Sequence, residues 1–73
     1  MTPYENLANA IILRAVEDWR DADRRLRRKP QNREVRALKE ETEEFFLSDW
    51  FSALSKLDGE TLLRRLQEEA ENR

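Results

Sequence analysis

Side-chain catalysis needs a group that can trade protons or attack a substrate, and this sequence lacks the usual ones. There is no His and no Cys in its 73 residues. That removes the commonest general base and the imidazole- and thiolate-based nucleophile systems. Ser48, Ser52 and Ser55 have hydroxyls but no imidazole to activate them. Lys29, Lys39 and Lys56 lie in strongly polar stretches, where nothing strips water from an amine to make it a base. Gly59 is the only glycine, so there is no glycine-rich phosphate loop. Glu40, Glu41, Glu43 and Glu44 supply carboxylates for a divalent cation. Helical di-iron sites, however, pair Glu with a His three residues on, so the run is expected to be a solvated helix face. No catalytic residue, cofactor, metal or small-molecule substrate is expected.

Two other groupings point to binding. From Arg20 to Lys39 there are nine basic residues against three acidic ones, a net of +6, which leaves −8 for the rest of a chain whose total is −2. Arg20, Arg24, Arg27 and Arg28 fall on one side of a helix at three- and four-residue spacing. With Arg33 they form a candidate anion or nucleic-acid patch, where counterion release would supply affinity. A plainer reading is also open, since cations near a helix C-terminus satisfy its dipole. Arg20 is also expected beside Glu40 and Glu41, so part of the charge pairs internally. No aromatic residue is interleaved with the basic run for base stacking. The Asp58–Gly59 turn only loosely resembles a helix-turn-helix, because the helix after it is as acidic as it is basic.

The second grouping is aromatic. Phe45, Phe46, Trp50 and Phe51 crowd one stretch, with Leu47 between them. Residues 45, 46 and 47 point about 100° apart on a helix, so one neighbouring helix cannot cover all three. Phe46, Leu47, Trp50 and Phe51 are therefore candidate protein-interface residues, since aromatic anchors dominate binding hot spots. Against this stands a packed C-terminal mini-core, which would leave Leu47 and one bulky aromatic facing outward.

The elements that carry these groups follow from capping and periodicity. Charged residues make up 41% of the chain, with one Gly and two Pro, a helical composition. Thr2, Pro3 and Glu5 form a capping box with Pro tolerated at the first helical position. Tyr4, Leu7, Ala8, Ile11, Ile12, Ala15, Val16, Trp19, Ala22 and Leu26 then repeat at three- and four-residue steps, predicting a helix over about 3–28. Pro30 ends it, and residues 29–32 form a turn in which Asn32 caps a second helix over about 33–47. A short loop between long helices gives an antiparallel hairpin, with Leu26 near Val35, Ala22 near Leu38 and Val16 near Phe45. Beyond it, the second helix either runs on or breaks at Ser48, whose capping chemistry favours a new helix over about 49–57. Asp58 and Gly59 open a final helix over about 59–70. The expected fold is one all-α domain over 1–73, a hairpin followed by one or two short helices in a small bundle.

Tyr4-Glu5-Asn6-Leu7-Ala8-Asn9-Ala10-Ile11-Ile12, Phe45-Phe46-Leu47-Ser48-Asp49-Trp50-Phe51 and Leu57-Asp58-Gly59-Glu60 resemble a family of short uncharacterised proteins from prophages and mobile elements of Gram-positive bacteria. The resemblance spans nearly the whole chain and is weakest in its Arg-rich middle. It implies a mobile-element setting in the cytoplasm and brings no activity, cofactor or catalytic residue. In that setting Asn6 and Asn9, off the apolar stripe, are either surface polarity or contacts to a partner or to the Asp58–Glu60 turn.

A 73-residue chain buries only about 60% of its unfolded surface. Without disulfides or zinc it needs very tight helix packing or a second chain, so a homo-oligomer or a protein partner is expected. The N-terminus lacks a secretory pattern, and no apolar run approaches the ~20 residues of a membrane span. A soluble cytoplasmic protein is therefore expected. The function these readings favour is non-catalytic protein–protein contact. DNA binding through the basic end and inhibition of a host protein are the alternatives.

Overall fold

The computed structural model describes residues 2–72 and is all-α, with no strand among them. Four helices follow in order: α1 Pro3–Arg28, α2 Arg33–Phe46, α3 Asp49–Leu54 and α4 Gly59–Glu71. Each start is set by a side chain that accepts a backbone N–H otherwise left orphaned. Thr2 accepts from Glu5, Asn32 from Val35, Ser48 from Phe51 and Asp58 from Glu60.

The open question at Ser48 has a clear answer. The chain leaves the helix at Leu47, Ser48 is extended, and its Oγ accepts from the Phe51 N–H at 3.3 Å. Its hydroxyl donates back to the Phe45 carbonyl at 2.6 Å, so one side chain both ends α2 and begins α3. α3 is shorter than the expected 49–57. It stops at Leu54 because Ser55 turns extended and its Oγ accepts from the Leu57 N–H.

α1 and α2 form the antiparallel hairpin, and two long-range ties fix its register close to the expected one. Trp19 Nε1 donates to Glu43 Oε2 at 3.0 Å, and Lys39 Nζ to Asp23 Oδ1 at 3.2 Å. α4 then runs back along the hairpin, antiparallel to α2. Its first residue, Gly59, lies against the Phe46 carbonyl, and its last turn, with Ala70 and Glu71, reaches Trp19, Asp23, Arg27 and Lys39. The core is Ile12, Trp19, Phe46, Phe51, Leu63, Leu66 and Ala70, with Ala15, Val16, Phe45 and Leu62 packed at its edge. Within it the rings of Phe45, Phe46 and Phe51 form a triangle with centroids 5.7–5.8 Å apart. Two of its contacts are edge-to-face, the arrangement the ring quadrupole prefers.

The molecule measures 41 × 24 × 19 Å. Because α4 ends beside Asp23 and Arg27, the last turn of α1 and the first of α2 extend beyond it as a two-helix tip. None of the described helices is long and apolar enough to cross a membrane.

Candidate interaction surfaces

The aromatic grouping divides into two parts. Phe46 and Phe51 are 1% and 0% exposed, so they are core residues and not the interface residues their sequence context suggested. The break at Ser48 turns α3 so that Phe51 points back onto Phe45 and Phe46. Leu47 and Trp50, at 58% and 64% exposure, are left on the outside. Tyr4, Leu7, Ile11, Leu13 and Leu57 are also exposed. Tyr4, Leu7 and Ile11 follow at three- and four-residue steps, so they line one side of α1. All of these lie in residues 4–13 and 47–57, at the end of the hairpin away from its turn. Among the described residues, Leu38 alone of the exposed large apolar side chains lies outside those two segments. Beside this surface a shallow cleft is lined by Tyr4, Ala8 and Asn9 on one wall and Ser52–Lys56 on the other.

Sequence reasoning found Leu47 and Trp50 but missed Tyr4 and Leu7, which it assigned to the buried stripe. The signal was present, since the α1 stripe is wider than one partner helix can cover. Residues 52–56 line the cleft beside Ala8, and Tyr4 and Leu7 on the flank of the stripe stay exposed.

The basic grouping also divides. Arg20 pairs with Glu69 of α4 at 3.1 Å, not with Glu40 or Glu41, because α4 occupies that side of α1. Its Nε is buried with no hydrogen-bond partner. Arg27 pairs with Asp23 at 3.0 Å, and Arg24 and Arg25 share Asp21 at 3.7 Å. Among the described residues, Arg28, Lys29 and Arg33 have no carboxylate within ion-pair distance. Arg36 donates to the Pro30 carbonyl at 2.6 Å, which ties the turn to α2.

Between the two ends lies a polar cluster centred on Asp23. Asp23 is buried and takes Arg27 Nε on one oxygen and Lys39 Nζ on the other. Burial pushes its carboxyl pKa up, but the hydrogen bonds and charges of Arg27 and Lys39 outweigh this and hold it below the ordinary value. Lys39 Nζ also lies 5.1 Å from the centroid of the Trp19 ring, a cation–π contact. Both carboxylate oxygens are taken up by cations, one from α1 and one from α2, so the cluster ties the two helices together. No three acidic side chains among the described residues converge to hold a metal ion.

These features define a small all-α bundle with an apolar end, a basic tip and a locked polar waist. No family model matches the chain, and no curated protein or solved structure matches it either.

Proposed function

We propose that this chain is a small non-catalytic interaction protein that pairs with a second copy of itself through its apolar end, centred on Leu47 and Trp50. By its sequence resemblance it would serve as an accessory protein of a prophage or mobile element. The observation that carries the self-pairing is an excess of surface. The chain exposes 5754 Å², against roughly 4,800 Å² for a compact monomer of 8.8 kDa. The difference, about 1,000 Å², is shared by the protruding tip and the apolar end of an elongated molecule, and a standard contact would cover ~800 Å² on each partner. Tyr4, Leu7 and Ile11 along one side of α1, with Leu47, Trp50 and Leu57 at the same end, supply material for such a contact. The pairing of the buried carboxylate Asp23 with two cations supports the non-catalytic reading.

The test is the solution mass of L47E and W50E beside the parent chain. A Trp hot spot contributes about 2 kcal/mol or more, so W50E should weaken pairing roughly 30-fold with helicity retained, because Trp50 is outside the core. Should both variants keep the parent's assembled mass, the apolar end is not the interface. A parent chain that is monomeric but is captured by a foreign protein through Trp50 would replace self-pairing with inhibition of, or docking to, that protein.

A further inference from the structure

From Arg24 to Arg36 the hairpin tip holds seven cations against one carboxylate, Glu34, a net of +6 within 13 residues of a chain whose total is −2. Outside the tip, three cations each pair with a carboxylate: Arg14 with Asp18, Arg20 with Glu69 and Lys39 with Asp23. Within the tip Arg24 and Arg25 share Asp21 and Arg27 pairs with Asp23, which leaves Arg28, Lys29 and Arg33 with no carboxylate within ion-pair distance among the described residues.

Its layout is two-sided. Buried Ala22 and Asp23 mark the inward side of α1 at this level, and Val35 that of α2. At 100° per residue, Arg24 and Arg28 lie on the outer side of α1, and Arg33, two residues before Val35, lies on the outer side of α2. Packed helix axes are about 8–10 Å apart, so these side chains bracket the tip and reach some 20 Å across it.

We propose that the tip docks end-on across the major groove of B-form duplex DNA, with Arg24 and Arg28 over the phosphates of one strand and Arg33 over those of the other. Three observations favour this ligand over other polyanions. The groove mouth, about 12 Å wide, is narrower than the bracket, so guanidiniums on both flanks fall over backbone while the turn faces the groove. No exposed large apolar side chain occurs between Leu13 and Leu38, so the tip has neither the wedge a membrane needs nor the anchor a protein partner needs. No aromatic residue lies between Trp19 and Phe45, so unpaired bases have nothing to stack on. Duplex RNA presents a deep, narrow major groove instead. The acidic run from Glu40 begins about 10 Å from Arg33 along α2, beyond the ~8 Å Debye length at physiological salt. Its repulsion therefore favours end-on docking over side-on and leaves the contact intact. Binding reads backbone and carries no base specificity.

The experiment is fluorescence anisotropy of a labelled random-sequence DNA duplex titrated with the full chain at several salt concentrations. The expected slope of log K against log salt is about −2.7 to −3.6, for three to four neutralised phosphates. R24E/R28E/R33E should lower affinity at least ~100-fold at low salt. The charge-matched R14E/R64E/R65E, away from the tip, should stay within about threefold of the parent. Circular dichroism checks that both variants keep their helices. No binding at low salt overturns the proposal. So does equal loss in the two triple variants, or tighter binding to single strands, duplex RNA or vesicles rich in anionic lipid. The apolar end has no part in this test, so its outcome is separate from that of self-pairing.

Discussion

Asp23 and Gly59 carry much of the specificity of the fold. Asp23 is the only carboxylate buried in the described structure, and its lowered pKa fixes how acid acts on the protein. A group depressed in the folded state contributes stability that is complete above its ordinary value of 3.8. That stability is lost as pH falls below 3.8 through the lowered folded value. Acid titration followed by circular dichroism should show the parent losing stability over that range. D23N should be flatter there and, at neutral pH, about 2 kcal/mol less stable, the scale of hydrogen bonds to charged groups. Gly59 acts by size. Its φ is negative, so conformational freedom is not what the position requires. A Cβ there would run into the Phe46 carbonyl and push α4 off the end of α2. G59A should therefore cost about 1–3 kcal/mol, the usual penalty of overpacking, although alanine favours helices, and thermal unfolding would show it. The sequence marks Gly59 as a boundary, but the close approach depends on where a distant backbone carbonyl falls, which no local pattern encodes.

Helix starts were legible because capping is local chemistry. Thr2, Asn32, Ser48 and Asp58 each place an oxygen within reach of an N–H two or three residues on. The helix ends were harder to read, and α3 shows why. Leu57 repeats in phase with Trp50 and Leu54, yet the helix stops at Leu54, since nothing packs over Leu57 to reward continuing. Ser48 sets the angle between α2 and α3, and through it the burial of Phe51 and the exposure of Trp50. S48A should cost about 1 kcal/mol, typical for a lost N-cap, by chemical denaturation. S48D, which keeps an acceptor at the cap, should recover most of it. The division of the aromatics was not legible for the same reason. Periodicity alone cannot say which of four adjacent rings faces inward until the angle of the break is known.

At the scale of the whole molecule, the hairpin separates two kinds of surface. Charge accounting from the sequence located the basic end, and the structure shows which cations there keep a carboxylate. It also shows that α4, by taking Glu69 to Arg20, neutralises the inner margin of the patch while leaving the tip open. The apolar end carries the proposal of self-pairing, because a second copy docked there would add buried surface to a 73-residue chain that has no cysteine for disulfides. A second copy would bury the surface that the short α3 and α4 leave uncovered. The most direct measurement is light scattering on the parent chain across a wide concentration range, at two salt concentrations. The predicted result is a mass of twice 8.8 kDa that persists at high salt, as burial of apolar surface requires. A mass of 8.8 kDa at every concentration, at either salt, would contradict self-pairing and leave the apolar end to a foreign partner.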